Sequence, residues 1–522
     1  MPINLGFETE GNSIAKNEII APAYCAALEE TNFSEQQLKE CKNSGKRRFA
    51  KCGLLLSEQC YFHHNAIHTL VEFILTLILI WAAVYVIIKE EFLPHSDLFK
   101  IFLLIICSYC TGFIFSMAGL PHVVGLYATG SVLKSVGYFN LSAQYKAISA
   151  VFRYVAISVT ITKGGLGFDV GTVLKHKWTI FRYSFIYNNI EALVLAVLAK
   201  YVLNFPWLWS FMFGYVICAT SSAASLNELR KLKSENKYKN EQMQETIENS
   251  AYIDNIYSIS AFTVFLTSIG FVKNGESEIH MALLSGLLDL VIAIMIGLLF
   301  GFLTACFPHK NDNYFLAKRC LLLSINGTCT YFGCKIIGVA AGGALACFVA
   351  AATSSFCWKA QGWTKSYNPV LNFENKLWNF LMEPILFGLV GTEVDLRQLD
   401  ISEIGTGIWM LIVTILVKCI VGMMILIPDN FNVKEKIFII FSWMPKATVQ
   451  SALSPQMLDT LNRTGSSDQE ELDRATLIIA LSVLSVVFIT TLFSIILKCS
   501  SNRLLVKKQT TTDSDVPEQI SS

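Results

Sequence analysis

Apolar residues fill the chain in long blocks, and polar residues gather in the shorter stretches between them. A helix that crosses hydrocarbon needs about 20 mostly apolar residues, because lipid offers its backbone N–H and C=O groups no partner outside the helix. By that criterion about fourteen blocks qualify. They run over 66–88, 98–117, 121–136, 145–162, 178–202, 207–226, 247–272, 281–306, 316–339, 342–358, 377–394, 404–427, 437–458 and 475–498. The pattern predicts an all-α polytopic membrane protein with a polar tail over 1–65, a transmembrane domain over 66–498 and a second polar tail over 499–522.

Composition supports that reading: 53% of the 522 residues are hydrophobic, 16% are charged and the mean hydropathy is +0.48. The formal net charge of +1 hides a strong sidedness. Basic stretches ("GKRRFAK", "ELRKLKSENKYK", "FPHKNDNYFLAKR", "KAQGWTK", "NRLLVKK") fall before the first block or after even-numbered ones. The connections after odd-numbered blocks ("KEEFLPHSD", "KNGESEIH", "EVDLRQLDISE", "DTLNRTGSSDQEELDR") are acidic or nearly neutral. The positive-inside rule then places both termini in the cytoplasm and leaves Asn140 in "NLS" and Asn462 in "NRT" outside as candidate glycosylation acceptors. The first 65 residues are polar, so no cleavable signal peptide is expected. The first helix then serves as the insertion signal, and the expected destination is the cell membrane.

Several function classes drop out. No segment is basic enough to hold nucleic acid, and the basic loops read as topology determinants lying against lipid headgroups. The 15 cysteines fall mostly in helices or cytoplasmic stretches, where thiols stay reduced. Cys52, Cys60, His63, His64 and His68 match no zinc spacing. No nucleophile elbow, metal motif or phosphate loop occurs, so neither a cofactor nor enzymatic chemistry is expected.

The information lies in the polar residues inside the blocks. A charged side chain at mid-membrane costs about 2.5–3.5 kcal/mol on insertion scales, so each needs a partner or a use. The charges at depth are Arg153, Glu191, Asp254, Glu383, Lys418 and Lys446. Asp254 and Lys418 sit near block centres and read as functional, whereas Arg153 and Glu383 read as structural. Two blocks also look broken: "CATSSAAS" over 218–225 and "WMPKATVQSALSP" over 443–455, the latter with Pro445, Lys446 and Gln450 at membrane depth. Unwound midplane backbone is how secondary transporters expose carbonyls and half-helix ends to ions. If blocks 3–7 and 10–14 form two five-helix units, each broken helix is fourth in its unit and the units start on opposite sides. The expected fold is therefore an inverted repeat with two crossing discontinuous helices.

At "FSWMPKATVQSAL" (441–453), "ILFGLVGTEVDL" (385–396) and "TKGGLGFDVGTVLK" (162–175), the chain resembles the NHA branch of the cation:proton antiporters, the animal sodium/hydrogen exchanger subfamily B. The resemblance runs from about 100 to 498. It implies a homodimer in which a core of helices 5–7 and 12–14 (about 178–272 and 404–498) shifts like an elevator past a dimerisation domain (about 98–162 and 316–394). It also implies a carboxylate pair after the first crossing helix, of which the second binds the ion and the first pairs with a basic residue. Here those positions are Asp254 and Asn255, Lys418 falls where the basic partner is expected, Glu191 matches a family glutamate, and Ser222 replaces a proline usual at the first break.

Asn255 offers a carbonyl oxygen but neither charge nor a titrating proton. Three readings follow. In the first, a monovalent cation (Na+, Li+ or K+) exchanges for protons at Asp254, helped by Glu191, Thr220 and Ser221. In the second, a lysine and two half-helix N-termini freed of one carboxylate favour a proton-coupled chloride pathway. In the third, the chain is a transport-inactive regulatory homologue.

Overall fold

The computed structural model describes residues 68, 71, 72, 74–235, 241–273, 279–309, 311–363, 368–397, 400–464 and 468–505. Nearly all of both polar tails, and all of the Cys/His cluster except His68, lie outside the described residues.

Residues 74–88 are helical. The compact unit that begins at Trp81 is built from helices, with no strand among the described residues. In chain order they are α1 (Asp97–Met117), α2 (His122–Ser135), α3 (Ala143–Gly167), α4 (Lys177–Phe181 and Asn188–Val202, joined by a π-turn at Arg182–Tyr187), α5 (Trp207–Cys218), α6 (Ala223–Ser234) and α7 (Glu241–Lys273). There follow α8 (Ile279–Cys306), α9 (Phe315–Ile336), α10 (Gly343–Lys359), α11 (Pro369–Leu377 and Glu383–Gly391 around a π-turn at Trp378–Met382) and α12 (Ile401–Ile425). The last are α13 (Val433–Ser442), α14 (Thr448–Thr464) and α15 (Gln469–Ser485 and Thr491–Leu504 around a π-turn at Val486–Thr490). Helical segments overlap every expected block from 98 onward. Among the described residues, six helical stretches are by themselves long and apolar enough to cross a membrane: Asp97–Met117, Lys177–Val202, Leu283–Cys306, Ala340–Lys359, Ile401–Ile425 and Gln469–Ser501.

Local sequence explains the helix starts. Asp400 and Asp468 accept from the backbone N–H groups of Ser402 and Glu470, and Asn432 and Glu435 form a reciprocal capping box. At α11, Asn368 caps a helix whose first position is Pro369, where a missing N–H costs nothing.

Close helix packing rests on small residues. A Cβ on Gly214 of α5 would lie 2.4 Å from the Ala192 carbonyl of α4, and one on Gly130 of α2 would lie 2.2 Å from the Gly388 carbonyl of α11. Both contacts need glycine, because in an apolar bilayer close backbone approach supplies the dispersion energy that holds helices together. The largest buried apolar cluster draws most of its residues from α4–α7 and α12–α15.

Two helical lines are interrupted. Between α13 and α14 lies Pro445, which removes a backbone donor and turns the preceding residue away from helical geometry. Between α5 and α6 no proline is present. There Thr220, Ser221 and Ser222 offer the backbone local alternatives to the helical ladder, and the break forms without the family's proline.

Candidate functional site

The two breaks meet. Ser221 N–H donates to the Pro445 carbonyl at 2.8 Å, and Thr220 Oγ1 donates to the Trp443 carbonyl at 3.5 Å. Gln450 bridges them: its Nε2 donates to the carbonyls of Ile217 (3.0 Å) and Ala219 (2.7 Å), while its Oε1 accepts from Ala447 N–H at 2.9 Å. A helix end buried in lipid leaves carbonyls and N–H groups without intrahelical partners, and this single amide satisfies three of them. Thr490, the last residue of the π-turn in α15, accepts from Lys446 N–H at 2.9 Å and donates to the Lys446 carbonyl. The π-turn thus aims a hydroxyl at the break.

Two lysines serve the C-terminal ends of the half-helices, where the helix dipole favours positive charge. Lys446 Nζ donates to the Cys218 carbonyl and Lys418 Nζ to the Trp443 carbonyl, each at 2.9 Å. Both also reach one carboxylate: Glu191 lies 2.8 Å from Lys446 Nζ and 2.7 Å from Lys418 Nζ. All three side chains are 1–2% exposed. Lys418 also lies 4.7 Å from the centre of the Tyr187 ring.

This arrangement corrects the expected pairing of Asp254 with Lys418. No described lysine or arginine forms an ion pair with Asp254; Glu191 takes both lysines. Glu191 is therefore a charge partner of both lysines. One carboxylate between two ammonium groups leaves one positive charge, which an ionised Asp254 balances.

Asp254 is buried and held by neutral donors. Its Oδ2 accepts from Thr220 N–H at 2.9 Å and its Oδ1 from the Ser258 hydroxyl at 3.3 Å. Asn188 Nδ2 donates to Ser258 Oγ at 2.7 Å, extending the chain of contacts. Beside the carboxylate lies a cavity of about 10 Å³, room for about one water-sized sphere, lined by Tyr183, Tyr187, Asn188, Thr220, Ser250, Ala251, Asp254 and Trp443. Three buried oxygens of that lining, Tyr187 Oη, Asn188 Oδ1 and Ser250 Oγ, have no hydrogen-bond partner. Oxygens are the ligands that a hard cation takes, and the lining supplies them from Asp254 and these three residues.

Asn255 points elsewhere. Tyr252, three residues earlier and on the same helix face, packs its ring against Gly164 and Gly167 of α3. Asn255 is half-buried, its Oδ1 also lacks a partner, and it does not line the cavity. Ser221 contributes its backbone to the crossing, and Pro445 supplies the carbonyl that receives it.

The other expected residues lie apart. Asn140 is exposed in the loop before α3, and Asn462 is exposed near the end of α14. Arg153 pairs with Asp459 (2.6 Å) and Glu393 (3.1 Å), and Glu383 with His122 (2.8 Å). Sequence reasoning missed Tyr187, Ser250 and Ser258. A signal was present for the serines: Ser250, Asp254 and Ser258 recur at i, i+4 and i+8, one polar stripe on an apolar helix.

The family model for the sodium/hydrogen exchanger transmembrane region matches residues 101–508. The chain belongs to the sodium/hydrogen exchanger family. It is 28% identical to sodium/hydrogen exchanger 9B2 of Homo sapiens over 451 residues, covering 85% of this chain and 82% of that one. It is 27% identical to sodium/hydrogen exchanger 9B1 of Homo sapiens over 396 residues, covering 74% of each. The exchanger scaffold also appears in the fold: the sodium proton antiporter MjNhaP1 of Methanocaldococcus jannaschii superposes with a TM-score of 0.64 at 16% identity, covering 76% of this chain and 98% of that one.

Proposed function

We propose that this exchanger is a secondary transporter that trades a monovalent cation for protons, with Asp254 as the carboxylate for which the two compete. The observation that carries the reading is the small cavity lined by Asp254 together with Tyr187, Asn188 and Ser250, three residues that each hold a buried oxygen without a partner. A cation entering it is stripped of water and takes ligands from Asp254, Asn188 Oδ1, Ser250 Oγ and Tyr187 Oη. When Asp254 is protonated, its charge is gone and the remaining Lys418–Glu191–Lys446 cluster is positive, so the cation is expelled. Binding of either species excludes the other, which is the requirement for coupled exchange. The tight space favours sodium and lithium over the larger potassium.

Transport then needs the site to face each side in turn. In this reading the core (about 178–272 and 404–498) carries it past a dimerisation domain (about 98–162 and 316–394) in a homodimer. The homodimer sits in the cell membrane with both termini in the cytoplasm.

The test uses purified protein in liposomes, with internal pH followed while external sodium, lithium, potassium or chloride is stepped. Sodium-dependent proton flux is expected, and Asp254→Asn should reduce it at least about a hundredfold, the scale of losing a positioned proton-transfer group. Asn188→Ala and Ser250→Ala should each raise the sodium concentration for half-maximal flux several-fold. Chloride-dependent flux indifferent to sodium would overturn the reading in favour of an anion pathway, which the positive cluster around Glu191 would suit. No flux under any gradient would leave a regulatory homologue.

A further inference from the structure

We propose that the large cavity between α3, α9 and α14 binds an amphipathic anion, a carboxylate or phosphate head on an apolar tail. The cavity has a volume of about 790 Å³ and is separate from the Asp254 site. Its size falls in the range of about 300–1,000 Å³ typical of small-molecule sites.

Its charges are one-sided. Lys146, Lys335 and Arg463 line it from three different helices, and none forms an ion pair with a described residue. Lys335 Nζ lies 4.0 Å from the centre of the Tyr154 ring, a contact with a π-face rather than a carboxylate. The single acidic side chain of the lining, Asp459, is already engaged by Arg153 at 2.6 Å. Arg153 also takes Glu393, so these two carboxylates offset Arg153 and one further cation at most.

The walls are apolar. Ala150 and Val151 of α3 face Phe332 and Ile336 of α9, and Ile336 is 83% and Val151 50% exposed. A bare inorganic ion would satisfy the cations and make no contact with this wall, while a neutral lipid would cover the wall and leave at least two cations without a counter-charge. An anionic head on an apolar tail satisfies both. Two sources share that chemistry: a free fatty acid and the headgroup end of an anionic phospholipid.

Thermal unfolding of the purified full chain tests the proposal. Oleate should raise Tm in a saturable manner, whereas oleyl alcohol, with the same tail and no charge, and acetate, with the charge and no tail, should not. The variant K146Q/K335Q/R463Q should weaken oleate binding by about tenfold or more, the effect expected from losing charge-assisted hydrogen bonds to a carboxylate. K146R/K335R, which keeps the charge, should bind as the wild type does and controls for misfolding. In a second arm, nanodiscs with phosphatidic acid are compared with nanodiscs of phosphatidylcholine alone. A Tm rise with phosphatidic acid that the triple variant loses supports a bilayer lipid as the source, and a response to oleate only supports a free amphiphile. Equal oleate affinity in the wild type and the triple variant, or an equal response to oleyl alcohol, would overturn the proposal. None of these readouts depends on cation exchange.

Discussion

Asp254 and Asn255 are adjacent in sequence and divided in space. Successive helix positions are rotated by about 100°, so the aspartate joins the stripe of Ser250 and Ser258 while the asparagine shares the face that Tyr252 presents to α3. The unusual Asp-Asn pair was plain in the sequence, as were the lysines at depth. Which carboxylate the lysines would choose was not, because Asp254 and Glu191 are equally eligible by spacing, and the choice is made by Lys446 reaching across the crossing from the other broken helix. An Asn255→Asp variant adds a second negative charge without disturbing the Thr220 and Ser258 contacts of Asp254. It should lower the sodium concentration for half-maximal flux by about tenfold, equivalent to about 1.4 kcal/mol of added cation attraction. Proteoliposome assays across a sodium series would show it, and an unchanged half-maximal concentration would place Asn255 outside the ion's reach.

At the scale of elements, the crossing is held by a few side chains that each satisfy several backbone groups. Pro445 made one break readable from the sequence, and the run of hydroxyls pointed to the other. The partner that joins them was only partly readable: Gln450 stood out as a polar residue at depth, yet its bonds to Ile217 and Ala219 link positions more than 230 residues apart. The π-turns in α4 and α15 contain no proline or glycine to mark them, whereas the one in α11 is followed by Glu383 and then Pro384, whose missing N–H interrupts the helical ladder. Gln450→Ala would leave two carbonyls and one N–H buried without partners. At about 1–3 kcal/mol for each unsatisfied group, partly relieved by relaxation, the loss should be about 2–4 kcal/mol. A Tm measurement in detergent against Gln450→Glu, which keeps the acceptor for Ala447 N–H, separates the donor contribution; a Tm equal to wild type in Gln450→Ala would mean that the crossing is held by other contacts.

Across the whole molecule, the proposed movement of a core past a scaffold makes a demand on the ion pairs that join them. Arg153 and Glu393 both belong to the segments assigned to the dimerisation domain, so their contact survives such a shift. Asp459 lies on α14, in the segment assigned to the core, and its 2.6 Å contact with Arg153 must break each time the site changes sides. Arg153 is nearly buried while Asp459 is 20% exposed, so the pair is stronger than a surface one but is not sealed from water. Asp459→Asn should therefore change the maximal rate of sodium-dependent proton flux by about two- to tenfold, by altering the balance between the two orientations. The cavity at Asp254 lies elsewhere, so the intrinsic affinity of each orientation for sodium should persist, as measured by sodium-dependent protection of the protein against thermal unfolding. A variant that loses sodium protection along with rate would place Asp459 in the ion site itself. Unchanged rate and protection would mean that the α3–α14 contact does not change during transport, and the division of the chain into a moving core and a fixed scaffold would have to be drawn elsewhere.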